Sequence, residues 1–363
     1  MLTATVRAAA AGAATALALG LLPGPALAAD HATGAAGTGV AASGRAAAHA
    51  DGVVTLGFGG DVNFEGRLAS RLRAPRRSLA SLRTWVGRPD ITMVNLETAI
   101  TSRGTEQPKK WRFRTSPKAL VALRGAGVDV VTMANNHAVD YGPLGLVDTL
   151  RARDASPIPV VGIGRDARDA FAPYVAQVRG TRLAFFGATD ISDLTSSRYP
   201  ARVGSPGVAS IVASRTRLLR AVRAWHRRVD TVVVYLHGGE ERLTCPTGRQ
   251  VATARALVRA GASVVVTAHA HVLLGAGWMG RGFVSHGLGN FVWYSGNSER
   301  EARSGLLTVT LRDGVPVASR LVPSYHGADA LPHRAHGVRA ARIQADLRAL
   351  TRCAGLRRTA PTR

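Results

Sequence analysis

Val53-Val54-Thr55-Leu56-Gly57-Phe58-Gly59-Gly60-Asp61-Val62-Asn63 is an apolar run that closes on two glycines and then on an aspartate and an asparagine. The run from 53 to 58 reads as a buried β-strand, and its polar end falls where open α/β sheets hold their ligands. Similar β-branched runs recur at 91–94, 128–132, 160–163, 182–187, 231–236 and 263–267. Pro157 and Pro159 keep the third of these short, because proline gives no donor to a central ladder. Helical patterns lie between the runs, at 143–153, 210–228 and 249–260. Alternation of this kind predicts an α/β fold with a layered sheet. Further on, strand patterns at 283–286, 290–293, 305–311 and 315–322 predict hairpins that build a second sheet packed on the first. Residues 338–350 have the spacing of an amphipathic helix.

Five strand ends carry chemistry-bearing residues. They are Gly60-Asp61-Val62-Asn63, Asn95-Leu96-Glu97-Thr98, Asn135-Asn136-His137-Ala138-Val139-Asp140, His237-Gly238-Gly239-Glu240 and His269-Ala270-His271. Each alone reads as a turn aspartate or a satisfied polar histidine. Together, oxygen and imidazole donors from several strands make a dinuclear metal site, and that donor set suits Zn, Mn or Fe better than Ca or Mg. A pair of such ions polarises a phosphoryl group and supplies a nucleophile at neutral pH. Asp140 has two readings, a partner for His137 or a helix cap ahead of Tyr141-Gly142-Pro143.

Composition bounds the rest. Hydrophobic residues make up 46% of the 363 residues, which excludes wholesale disorder. The net charge is +24, and Lys109, Lys110 and Lys118 are the only lysines among 47 basic residues. The arginines are scattered, so they suit either a polyanionic partner or simply a basic surface. No zinc-finger spacing or RNP-like aromatic pattern occurs, so nucleic acid is not an expected partner. Residues 1–29 have an apolar stretch after Arg7 and an Ala26-Leu27-Ala28 cleavage pattern, which predicts a signal peptide and a secreted, extracytoplasmic protein. Residues 30–50 are small and polar, a disordered linker. Cys245 and Cys353 are the two cysteines, and export favours one disulfide over two free thiols. Trp85, Trp111 and Trp293 are expected to pack rather than to carry substrate.

The order of these motifs resembles the calcineurin-like metallophosphoesterases. The finer wording resembles their CapA branch, the poly-γ-glutamate capsule synthesis proteins: Gly60 to Arg67, Asn95 to Thr98, Ala134 to Gly142, His237 to Glu241, His269 to His271 and Gly287 to Phe291. The resemblance implies a four-layer α/β/β/α sandwich over 51–325, followed by a tail at 326–363 that contains the amphipathic helix. It implies two divalent metal ions, with Asp61, Asn63 and His271 on the first, Asn136, His237 and His269 on the second, and Glu97 bridging. His137 would be the general acid, oriented by Asp140. Asn63 stands where the superfamily usually has histidine, which weakens the first metal's shell. Arg67, Arg114 and Asn290 are candidates for substrate contact, while Glu240 and Glu241 are either partners of His237 or solvent-facing. The implied function is hydrolytic processing of an anionic surface polymer such as poly-γ-glutamate or of a phosphoester, with membrane-bound synthesis components in other chains. The alternatives are a non-catalytic polyanion scaffold and a secreted phosphodiesterase or nucleotidase.

Overall fold

The computed structural model of the chain describes residues 52–294 and 298–362, so the expected signal peptide and linker lie outside the described residues. The first strand, β1, is Val53–Val62, and it is buried throughout from Leu56 onward. Its parallel neighbours follow in chain order as β2 (Ile91–Leu96), β3 (Val130–Thr132) and β4 (Val160–Val161). β4 is the outermost of these, as the prolines before it require. Helix α1 (Lys118–Ala126) precedes β3 and α2 (Gly142–Asp154) precedes β4. The pattern reading did not single out α1, which ends on Gly127 at φ +89°, a left-handed cap that glycine adopts without strain.

A second sheet begins with the antiparallel pair β5 (Tyr174–Val178) and β6 (Thr181–Thr189). It continues through α3 (Ile211–His226), β7 (Thr231–His237), α4 (Gly248–Arg259) and β8 (Val264–Ala268). A hairpin, β9 (Ala276–Met279) and β10 (Gly282–Ser285), completes it in the order β9-β10-β8-β7-β6-β5. The last strands in the chain are β11 (Asn290–Val292), β12 (Arg303–Arg312), β13 (Val315–His326) and β14 (Pro332–Arg334), before the helix α5 (Gly337–Cys353).

These last strands correct one expectation. The strand-rich segment that begins at about 272 does not form the second sheet by itself. Its hairpins divide, with β9–β10 extending the second sheet and β11–β14 joining β1 in the first. β12 runs antiparallel to β1, with Val53 opposite Arg312 and Phe58 opposite Leu307. Hairpin spacing fixes which strands are neighbours but not which free edge they reach.

Alternation along the strands shows the layers. Phe58, Met93 and Val130 pack against Phe185, Val233, Tyr235 and Val266 between the sheets. Their neighbours face outward: Val94 and Val131 lie in the core with α1 and α2, and Phe186, Val232 and Val234 lie in the core with α3 and α4. The arrangement is the α/β/β/α sandwich expected from the resemblance. Each buried aliphatic or phenyl side chain contributes roughly 1.5–3 kcal/mol. Tyr235 crosses the layer, and its hydroxyl donates to the Gly59 carbonyl at 2.6 Å. Trp85 and Trp293 are buried as expected, but Trp111 is 55% exposed with the Lys110 ammonium 5.3 Å from its ring.

Helix α4 opens with a capping box, in which Thr247 and Gln250 each satisfy the other's backbone N–H. The Gln250 amide also reaches the carbonyls of Gly238 and His286, which ties the helix start to the end of β7. Cys245 and Cys353 form a disulfide with their Cα atoms 5.8 Å apart, joining the end of α5 to the loop ahead of α4. Among the described residues no helix is long and apolar enough to cross a membrane.

Candidate metal centre

The first sheet brings carboxylates and amides. Gly60 has no side chain to spare: a Cβ there would lie 1.8 Å from the Gly289 carbonyl oxygen, so β1 presses directly on that turn. This close approach places Asp61, whose backbone N–H donates to Gly289 O at 3.0 Å. Its carboxylate is fully buried, accepting from Asn95 Nδ2 at 2.8 Å and from the His269 backbone N–H at 3.0 Å. Asn95 in turn accepts from Asn135 Nδ2 at 3.0 Å. Glu97 is fully buried just beyond β2, with the Asp61 carboxyl beside it and no N–H or hydroxyl donor on either of its oxygens. Burial pushes the Glu97 carboxyl well above the usual carboxylate range, and the Asp61 charge pushes it the same way.

The second sheet brings imidazoles from the ends of β7 and β8. His237 Nε2 lies 3.5 Å from Glu97 Oε1, 2.7 Å from Asn136 Oδ1 and 3.1 Å from His269 Nδ1. His271 Nδ1 lies 3.6 Å from Asp61 Oδ2. His269 and His271 have φ of +100° and +56°, left-handed values that cost non-glycine residues roughly 1–3 kcal/mol each. The bond from His269 N–H to Asp61 helps hold that strain, which turns both rings toward the first sheet. Burial drives His237 and His269 well below the ordinary histidine range, so both are neutral and able to ligate.

Two sets of ligand atoms converge, Glu97 with His237 and His269, and Asp61 with Glu97 and His271, each within 4.8 Å. Glu97 belongs to both. A buried carboxylate without a donor costs several kcal/mol unless a cation meets it. The mixed nitrogen and oxygen set therefore fits a divalent transition metal.

His137 stands beside this cluster, with Nε2 3.8 Å from Glu97 Oε1. Its Nδ1 is 2.6 Å from Asp140 Oδ2, so Nδ1 donates to that carboxylate. Asp140 also accepts from the Phe113 backbone N–H at 2.8 Å and from Lys109 Nζ at 2.7 Å. The helix-cap reading of Asp140 fails, because the N-cap of α2 is Tyr141 and no side chain caps it. Burial lowers the His137 pKa, and the bond to Asp140 opposes that shift.

The remaining candidates lie outside the two groups of His, Asp and Glu ligand atoms. Asn63 is buried, its Oδ1 accepting from the Glu65 N–H at 3.4 Å and its Nδ2 lacking a partner. Asn290 is buried, its Oδ1 2.8 Å from His271 Nδ1 and its Nδ2 donating to Glu301 O. Arg67 donates to the Ala328 carbonyl at 2.5 Å. Arg114 lies 4.8 Å from the Tyr141 ring. Glu240 and Glu241 are exposed. Sequence reading gave no role to Asn95, Asn135 or Lys109. The two asparagines sit inside the quoted motifs, and the one local signal of Lys109 is the rarity of lysine in this chain. Lys109 Nζ bridges Asp140, Asp193 at 3.3 Å and the Asn136 carbonyl.

Comparison with known proteins gives a consistent picture. A family model described as bacterial capsule synthesis protein PGA_cap matches residues 55–295. The capsule biosynthesis protein CapA of Bacillus anthracis is 34% identical over 215 residues, 59% of this chain and 52% of that protein. The PGA biosynthesis protein CapA of Bacillus subtilis is 31% identical over 210 residues, 57% and 54% of the two chains. The chain thus spans about half the length of the curated relatives it matches. Among solved structures, a phosphatase from Mycoplasma pneumoniae superposes with a TM-score of 0.47 at 13% identity, over 75% of this chain and 94% of that one.

Proposed function

We propose that this chain, which belongs to the bacterial capsule synthesis protein PGA_cap family, is an exported hydrolase that processes an anionic cell-surface polymer of the poly-γ-glutamate class at a dinuclear metal centre. The observation that carries this reading is Glu97, a fully buried carboxylate with no N–H or hydroxyl donor, shared by two groups of candidate ligands. Export is supported by the A-x-A pattern at 26–28 and by the Cys245–Cys353 disulfide, since such bonds persist in oxidising compartments.

Asp61, Glu97 and His271 would hold one divalent ion, and Glu97, His237 and His269 the other, with Asn136 beside His237. Bound there, the pair supplies Lewis acidity to the scissile group and a nucleophile at neutral pH. His137 presents Nε2 toward the cluster and gives its proton to the leaving atom. Asp140 fixes the ring through Nδ1 and favours its protonated form, and Lys109 Nζ bonds the other oxygen of the same carboxylate. Asn95 holds Asp61, and Asn290 holds His271, in the way that outer partners orient metal ligands.

The test is metal analysis joined to turnover. Purified mature protein is expected to carry two equivalents of Mn, Fe or Zn. It is expected to hydrolyse a phosphoester or a poly-γ-glutamate chain, and to lose that activity reversibly on chelation. Protein without metal or turnover that still binds polyanions would instead be a scaffold.

A further inference from the structure

We propose that Lys109 is a positioning residue: its ammonium clamps the loop 101–113 onto the turn that carries Asn136, His137 and Asp140, and so holds the His137 ring at the angle that proton transfer needs. This role deepens the hydrolytic reading above and rests on it.

The loop leaves and returns between two short parallel strands, Ala99–Ile100 and Arg114–Thr115. Their pairing brings its ends together, and its second half is fastened to one residue of the site. The Gln107 backbone N–H donates to the Asp140 carbonyl at 2.8 Å, and the Phe113 N–H donates to Asp140 Oδ2 at 2.8 Å. Lys109 Nζ donates to Asp140 Oδ1 at 2.7 Å. The Phe113 ring then lies 4.2 Å from the His137 ring, tilted by 35°. The loop therefore rests on the imidazole that it helps to orient.

Lys109 differs from the other two contacts in joining three elements at one atom. Its side chain is 12% exposed, and its Nζ meets Asp140 Oδ1, the Asn136 carbonyl and, at 3.3 Å, Asp193 Oδ2. Asp193 uses its other oxygen to cap the short helix Leu194–Arg198, accepting from the Ser196 N–H at 3.0 Å. Thr195 of that helix donates to the same Asn136 carbonyl at 2.6 Å. An ammonium carries three N–H donors on a tetrahedral nitrogen, which suits three acceptors arriving from different directions; a planar guanidinium fork does not. In a chain with three lysines among 47 basic residues, lysine at this position fits a geometry that arginine does not.

The two oxygens of the buried Asp140 carboxylate have separate duties. Oδ2 takes His137 Nδ1 at 2.6 Å and the Phe113 N–H, while Oδ1 takes Lys109. Without the ammonium, Oδ1 is a buried acceptor lacking its donor, which is unfavourable. The carboxylate then turns about its Cβ–Cγ bond to share the donors that remain, and the His137 ring loses its fixed partner.

A comparison of leaving groups on the full mature chain tests this. The p-nitrophenolate of p-nitrophenyl phosphate departs without a proton, whereas the alkoxide of glycerol 2-phosphate needs one from the acid. Lys109→Met is expected to lower kcat on glycerol 2-phosphate by about 10–100-fold and on p-nitrophenyl phosphate by about tenfold less than that, with KM and metal content near wild type. His137→Ala is expected to show the same dependence more strongly. Equal losses on both substrates in Lys109→Met mean a merely structural lysine and overturn the role. If His137→Ala alone shows the dependence, only the part given to Lys109 fails; if neither variant does, the general-acid reading fails and takes Lys109 with it. Should Lys109→Met not keep the wild-type fold, Lys109→Arg carries the same test. A second readout needs no turnover. Proton NMR of the chelated protein is expected to show a downfield imidazole N–H resonance that is absent from His137→Ala, and that moves or broadens away in Lys109→Met. An unchanged resonance in Lys109→Met overturns the clamp. In a protein with no turnover on any substrate the hydrolase reading sinks, and this resonance alone then decides whether Lys109 orients the ring.

Discussion

The two sheets make unlike contributions to one site. The first ends in Asp61, Glu97 and a ladder of asparagines, and the second ends in His237, His269 and His271. Neither edge alone holds a complete ligand set, so the centre exists only while the sheets are packed face to face. The carboxylate side also carries the larger electrostatic cost. A neutral imidazole tolerates burial, whereas the Glu97 carboxylate tolerates it only with a cation nearby.

Breaking the carboxylate side should have the largest effect. Glu97→Gln is expected to abolish both metal binding and turnover. In chelator, the same variant should unfold at a higher temperature than wild type at neutral pH, because the raised pKa of the buried carboxyl is a stability cost that the amide does not carry. A chelated variant that melts lower, by calorimetry, would show that Glu97 has a structural partner instead.

The proposed general acid, His137, sharpens the comparison next, since it also comes from the first sheet. His137→Ala is expected to lower turnover by about 10²–10⁴ with metal content unchanged. Asp140→Asn should cost about 10–100-fold, as the loss of an orienting partner does. Loss of bound metal in His137→Ala would make that residue a ligand.

The smallest effect concerns a histidine of the second sheet whose ring nitrogens bond to nothing. His286 follows β10, is fully buried, and has no partner at either ring nitrogen. Burial lowers its pKa from 6.5 to about 4. The folded state therefore stays neutral while the unfolded chain takes up a proton. The stability this group contributes is full above pH 6.5 and is lost as pH falls toward 4, a change of about 3 kcal/mol. In His286→Leu, stability measured by denaturant melts between those pH values should fall less steeply than in wild type. An identical slope would mean that His286 is protonated in the fold.

That histidine also marks how far the sequence could be read. His237 and His286 both follow buried strands, and local pattern does not tell a ligand from an isolated ring. The strand-end motifs were legible because each is a short run with its strand beside it. The cysteine pair was legible because only two cysteines occur. The route of the late hairpins was not, since β10 and β12 differ in the edge they reach rather than in their own pattern. The bonds that Lys109 makes to Asp140 and Asn290 to His271 were hidden for a related reason: these partners lie far along the chain or on another strand.

The disulfide has one more consequence. It spans 108 positions, from the loop after β7 to the last turn of α5. A single protease nick anywhere in that interval leaves the two fragments covalently joined, so the clipped protein keeps its C-terminal helix. Damage to this half of the molecule is contained rather than shed.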